Sequence, residues 1–252
     1  MNKEKIIAVV PARLNSSRLP NKLLMNLENI SVLEHVINRL IISKCFNKII
    51  IASPNNQLKK IANKYKETFF FKSRLKHFSG TSRSIEAVKN LHFSKLVILF
   101  GDEPLIRPNE LQHFTKKIRE DNKNNIWNAT IDINHIKEFK DQSIVKCYLD
   151  SKGKIIDLKR QSKSQKIQNK LIQKSVGLIA FKKEILKELG LKKNNESIEQ
   201  LNFINDKKFF LKSVKLKHNF FSINNIQDYQ KVLSIYKNDK IQKNIISLYN
   251  KN

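Results

Sequence analysis

The chain has 252 residues with 40% hydrophobic content, enough to build one large α/β core, which excludes a disordered polymer. No apolar run approaches the ~20 residues that cross a bilayer, and MNKEKIIAVV enters a strand-like segment without a signal-peptide cleavage region, so a cytoplasmic enzyme is expected. The formal charge of +27 is carried mostly by Lys spread among Asn and Ile over the whole chain, with no aromatic-interleaved basic segment, which argues against a specific nucleic-acid reader.

In chain order, residues 6–12 (IIAVVPA) form a β-branched apolar run ended by a proline, the pattern of a central parallel strand. RLNSSRLPNK follows without an apolar period and reads as a loop. Ser31 is the candidate N-cap of a helix in which Val32, Val36, Ile37 and Leu40 recur at helical spacing up to about Ser43. Residues 48–52 are the next buried strand, and 57–65 and 82–91 are helices. KLVILF at 95–100 is a third strand, broken by Gly101-Asp102-Glu103-Pro104, and Pro108 falls at the first turn of a helix running to about 121. Strands alternating with helices predict right-handed βαβ units and a parallel sheet with ligands at the carboxyl ends of its strands. The loops after Ala12 and Phe100 both fall at such ends.

From Trp127 the pattern turns β-type, with strands at 129–133, 144–149 and 154–158, the last two joined by an Asp-Ser-Lys-Gly turn. An antiparallel insertion forming a substrate lobe is the expectation. Residues 159–173 are polar and basic without a period, the candidate mobile loop. A strand at 176–181, helices at 183–189 and 196–204, a strand at 209–216 and a closing helix at 226–236 complete the chain, and the last dozen residues read as a frayed helix. The whole reads as one domain, with a nucleotide-binding part at 1–126, the lobe at 127–220 and C-terminal helices at 221–252. Cys45 and Cys147 belong to no C-x-x-C or metal-ligand cluster and read as reduced structural residues.

Three constellations carry chemistry. Pro11-Ala12-Arg13 through Arg18 to Lys22 places three cations in one loop after the first strand, where guanidinium forks, an ammonium and backbone amides can converge on a triphosphate. Taken alone, such a loop is also what a solvated basic surface looks like. Asp102 and Glu103 form a carboxylate pair at the end of a buried strand, where Asp102 could tie Mg²⁺ to a nucleotide, or simply form an acidic turn. His77-Phe78-Ser79-Gly80-Thr81-Ser82-Arg83 offers a glycine turn, hydroxyls and an Arg at a helix start, and serves equally for helix capping.

In order and spacing, VVPARLNSSRLPNK, LEHVINR, HFSGTSR, GDEPLI, VKCYLDSKGKIIDLKR and VGLIAF resemble the cytidylyltransferases that activate acidic sugars, above all the 3-deoxy-manno-octulosonate (Kdo) cytidylyltransferases. The resemblance covers most of the chain. It implies a glycosyltransferase-A-like, Rossmann-type sheet with a smaller antiparallel β lobe, and a Mg²⁺-dependent transfer of CMP from CTP to the anomeric hydroxyl of a sugar acid for lipopolysaccharide precursor synthesis. It further implies a homodimer, with 127–220 binding the sugar and forming the dimer.

By position, the resemblance assigns Arg13, Lys22 and Asp102 to catalysis, and Pro11, Ala12, Arg13, Arg18, Lys22, Ser79, Gly80, Thr81 and Arg83 to the nucleotide. It assigns Arg160, Glu196 and Glu199 to the sugar, and Asp102 with position 224 to the metal. The chain departs from the family pattern at Asn224, where a metal-binding aspartate is usual, at Phe100 in place of a glutamine, and at Ser175 in place of a histidine. Asp228 lies one helical turn from Asn224 and is the alternative metal contact. These departures gather on the sugar and metal side. They keep open transfer to Kdo or a related 3-deoxy-2-ulosonic acid, transfer to another sugar acid such as a neuraminate-like or amino-substituted one, and a nucleotide-binding homologue with weak catalysis.

Overall fold

The computed structural model describes residues 4–77, 79–160, 171–191, 198, 200–204, 206, 208–219, 221–239 and 242–244. The first strand, β1 (Ile6–Pro11), is buried at every position, and its alternation feeds two cores. Ile6, Ala8 and Val10 enter one, Ile7 and Val9 the other, as a strand covered on both faces requires.

A short hairpin of β2 (Asn26–Leu27) and β3 (Ile30–Ser31) leads into α1 (Val32–Ser43). Ser31 caps α1 as its sequence position predicts, its Oγ accepting from Glu34 N at 3.3 Å while the Glu34 carboxylate accepts from Ser31 N at 2.9 Å. There follow β4 (Lys48–Ser53), α2 (Asn56–Ala62), β5 (Thr68–Lys72), α3 (Gly80–Val88), β6 (Lys95–Leu99) and α4 (Pro108–Glu120), with Pro108 in the first turn. The second half comprises β7 (Ile126–Asp132), α5 (Ile136–Lys140), β8 (Lys146–Leu149), β9 (Ile155–Lys159), β10 (Ile172–Lys182), α6 (Leu186–Leu191), α7 (Leu201–Ile204), β11 (Leu211–Lys215) and α8 (Ile226–Asn238).

The main sheet runs β11-β7-β10-β6-β1-β4-β5, with β6, β1, β4 and β5 parallel to one another and β11 parallel to β7. β10 is antiparallel to both of its neighbours in this order, so the sheet is mostly parallel with one reversed strand at its centre. Only the β8–β9 hairpin extends off this path as the antiparallel part expected from the sequence, and it attaches to the first half of β10. β7, β10 and β11 extend the main sheet, because β10 is 11 residues long and passes from β8 at Ile172–Lys174 to β6 at Leu178–Lys182.

The sequence expectation lacks the β2–β3 hairpin, β5 and α5, and β10 begins at Ile172, inside the 159–173 segment read as a loop. Thr68–Lys72 is an edge strand whose Phe69 is exposed, so it carries little of the buried pattern by which strands are read. α5 is only five residues long, too short to show a helical period. Among the described residues no helix is long and apolar enough to cross a membrane.

Candidate active site

The carboxyl ends of β1 and β6 face a cavity of about 250 Å³ lined by Pro11, Ala12, Arg13, Arg18, Lys22, Ser79, Gly80, Arg83, Asp102 and Asn224, with Ser16, Ser17, Leu23, His77, Phe100 and Gly101. The loop after β1 is pinned at its root, where Ala12 N donates to Ala52 O and the buried Leu14 carbonyl accepts from Ser16 N and Asn21 N, all at 2.9 Å. Curling the chain around Leu14 leaves Arg13 and Arg18 exposed on the cavity side. Asn21 adopts the left-handed conformation (φ 57°), which Asn tolerates better than most residues, and a single 3₁₀ turn at Lys22–Leu24 then directs Lys22 inward.

Lys22 Nζ donates to Asp102 Oδ2 at 2.5 Å and to the Ile223 carbonyl at 2.6 Å. Arg18 Nη2 donates to Asn224 Oδ1 at 2.9 Å, and Ile223 N donates to Asp102 O at 2.9 Å. Three segments distant in sequence thus meet at one point. Arg83 is buried and donates to Ser73 Oγ and to the Arg74 carbonyl. Burial, and then the neighbouring Arg13 charge, lower its pKa, while burial and Arg18 do the same for Arg160. Guanidinium groups held close enough to disfavour one another form a site that an anion relieves.

Ser79 caps α3, accepting from Ser82 N at 3.0 Å while Ser82 Oγ accepts from Ser79 N at 3.1 Å. His77 is oriented by Glu86, whose Oε2 lies 2.8 Å from Nε2, and by Ser82 Oγ 3.2 Å from Nδ1. Asp102 Oδ2 and Asn224 Oδ1 offer oxygen donors on the cavity wall. Among the described residues no group of three or more His, Cys, Asp or Glu forms a protein cage for a metal. One carboxylate plus an amide oxygen nevertheless suits Mg²⁺, which takes few protein ligands and completes its shell with phosphate oxygens and water.

A second cavity of about 490 Å³ adjoins the first and shares Phe100, Asp102 and Asn224 with it. Its walls include Arg160, Lys137, Lys174, Lys231, Glu138 and Gln200. Lys174 and Glu138 are ion-paired. Glu103 is buried against this cavity, accepting at Oε1 from Ser222 Oγ at 2.5 Å and from Gly177 N at 3.0 Å. Burial and then the Asp102 charge push its carboxyl up to about 8. Gly177 lies in the β10 bulge between Ser175 and Ile179, and a Cβ there would stand 2.5 Å from Glu103 Oε1, so the carboxyl seat requires glycine.

Of the residues assigned from the sequence, Pro11, Ala12, Arg13, Arg18, Lys22, Ser79, Gly80, Arg83, Asp102 and Asn224 come together in the first cavity, and Arg160 lines the second. Thr81 does not reach the cavity wall: it is 4% exposed in the first turn of α3 and faces inward. Glu196 and Glu199 lie outside the described residues. Lys174, Glu138, Lys231 and Gln200 were not singled out in the sequence, since each is an isolated polar residue whose neighbours are set by the sheet.

A family model described as Cytidylyltransferase matches residues 7–226. The chain belongs to the cytidylyltransferase family. This nucleotidyltransferase is 29% identical over 221 residues to the 3-deoxy-manno-octulosonate cytidylyltransferase of Thermodesulfovibrio yellowstonii, covering 79% of this chain and 86% of that one. It is 41% identical to the enzyme of that name from Francisella tularensis subsp. novicida, over 101 residues that cover 39% of this chain and 40% of the other. A solved CMP:2-keto-3-deoxy-manno-octonic acid synthetase complexed with CTP superposes with a TM-score of 0.82 at 22% identity, covering 93% of this cytidylyltransferase and 99% of that chain. The 4-diphosphocytidyl-2C-methyl-D-erythritol synthase of Anaerococcus prevotii shares the fold at a TM-score of 0.65 and 14% identity, with 93% and 99% covered.

Proposed function

We propose that this cytidylyltransferase transfers CMP from CTP to the anomeric hydroxyl of Kdo or a related 3-deoxy-2-ulosonic acid, releasing pyrophosphate and giving a CMP-sugar acid for lipopolysaccharide precursor synthesis. The observation that carries it is the meeting of Arg13, Arg18 and Lys22 with Asp102 at the mouth of β1 and β6, beside a second cavity whose polar wall includes Arg160. The names of the relatives support the choice of nucleotide and acid.

In this reading the acid's hydroxyl oxygen attacks the α-phosphorus, a P–O bond forms, and the bond to pyrophosphate breaks as the hydroxyl proton is lost. Arg13, Arg18 and Lys22 hold the triphosphate and stabilise the charge gathering on the leaving pyrophosphate. Arg83 and the capped start of α3 at Ser79 and Gly80 border the cytidine side. Mg²⁺ held by Asp102 and Asn224 would neutralise charge on the phosphate oxygens. Arg160 supplies positive charge for the acid's carboxylate in the second cavity.

Pyrophosphate release is measured with purified protein, CTP, Mg²⁺ and a panel of sugar acids. The reading expects release with a 3-deoxy-2-ulosonic acid and little without one; no release with any acid would sink it.

A further inference from the structure

Asn128 lies within β7 and is 1% exposed, a buried amide on the strand face it shares with Ile126 and Thr130. The β10 bulge between Ser175 and Ile179 opens beside it. Its Nδ2 donates to the Ala129 carbonyl at 2.7 Å and to Ser175 Oγ at 2.9 Å, and its Oδ1 accepts from Gln200 Nε2 at 3.2 Å. A carbonyl oxygen can only accept, so the Ala129 contact decides which end of the Asn128 amide is nitrogen. Oδ1 then faces Gln200, which must turn its own nitrogen inward. Among the described residues Gln200 Oε1 has no hydrogen-bond partner, and the half-buried Gln200 lines the second cavity while Asn128 stands behind its wall.

We infer that Asn128 is a positioning residue for acceptor selection: by fixing the Gln200 amide end for end, it makes the second cavity present a hydrogen-bond acceptor and so take a donor, a hydroxyl or an ammonium, from the acid. The inference rests on the transfer reading above. An acid that lacks the donor leaves Oε1 desolvated and unpaired, which disfavours it. Without Asn128 the Gln200 amide is free to turn over and offer its nitrogen instead, and the demand for a donor is lost.

The test uses a 3-deoxy-2-ulosonic acid that the enzyme turns over, and a set of analogues in which each non-reacting hydroxyl is replaced in turn by fluorine, which cannot donate. kcat/KM is measured by pyrophosphate release with CTP and Mg²⁺. In the wild type one analogue is expected to fall about 30-fold or more below the parent acid. Asn128→Leu is expected to bring that analogue within about threefold of the parent by raising the parent's KM, with the CTP KM held within about twofold. Asn128→Val, β-branched as a strand prefers, repeats the measurement if the leucine variant does not fold. Gln200→Leu also removes the discrimination, and adding Asn128→Leu to it changes nothing further, because Asn128 acts through Gln200. Gln200→Glu in the Asn128→Leu background restores the discrimination, since a carboxylate presents an acceptor at either end. Discrimination that survives Gln200→Leu or a folded Asn128 variant overturns the inference, as do effects of the two substitutions that multiply. Equal rates for all analogues in the wild type overturn it while leaving the transfer reading standing. A wild type that binds CTP but turns over no sugar acid overturns the transfer reading itself.

Discussion

At the scale of single residues, Lys22 and Asn224 carry the sharpest expectations. Lys22 Nζ lies between Asp102 Oδ2 and the Ile223 carbonyl, where a compact charge can follow phosphate charge as it develops. Lys22→Ala is therefore expected to lower kcat by about 100-fold or more while the KM for the acid moves by less than about threefold, read by steady-state pyrophosphate release. A change confined to the acid's KM would remove Lys22 from the transition state. Asn224 offers an amide oxygen already engaged by Arg18 at 2.9 Å, a weaker metal contact than a carboxylate. Asn224→Asp is expected to raise turnover more than about tenfold and lower the Mg²⁺ concentration for half-maximal rate, with CTP affinity nearly constant. An unaltered rate would show that the amide costs this enzyme nothing.

At the scale of elements, the helix starts were readable because capping is local. Ser31 and Ser79 stand where the cap chemistry of their neighbours places them, and Asn225 closes a third box with Asp228. The Asp228 carboxylate accepts from Asn224 N at 2.9 Å and Asn225 N at 3.2 Å, which makes it the N-terminal cap partner of α8 and leaves Asn224 as the residue facing the first cavity. Asp228→Ala is expected to cost about 1 kcal/mol and lower Tm by about 2–4 °C, and Asp228→Asn, which keeps an acceptor, to restore most of it. Loss of Mg²⁺ affinity in Asp228→Asn at unchanged Tm would instead put this carboxylate on the metal. Thr81, assigned to the nucleotide from its motif, is a contrary case: the motif placed it near the site, but the rotation of α3 turned it into the protein.

At the scale of the molecule, a buried polar cluster couples α1 to α8. His35 Nε2 lies 3.0 Å from Leu27 O, its Nδ1 faces Arg39 Nη1 at 3.3 Å, and its ring packs edge-on to Tyr236 at 4.7 Å between centroids. These partners fit a neutral ring that donates from Nε2. Burial and then the Arg39 charge lower its pKa from 6.5 to about 4. Between these values the unfolded chain takes up a proton that the folded chain refuses. The His35 contribution is therefore complete above pH 6.5 and falls by up to about 3 kcal/mol as the pH drops to 4. Urea midpoints at pH 7 and 4.5 are expected to fall further in the wild type than in His35→Gln; equal slopes would show that the ring accepts its proton in the folded state.

The sequence by itself determined the central strands, the main helix starts, the cationic loop and the carboxylate turn, because each depends on side chains within a few positions of one another. Burial of both faces made β1 and β6 continuous apolar runs, and Arg13, Arg18 and Lys22 share one loop. Only the tertiary structure decided what those residues face. The Lys22–Asp102 pair spans 80 positions and the Arg18–Asn224 pair 206, so no local pattern could join them. β10 runs antiparallel between β6 and β7, a choice made by sheet pairing rather than by any property of its own residues. Phe100 reads in sequence as the end of an apolar strand, and it lines both cavities with its ring where a Cβ on Gly80 would stand.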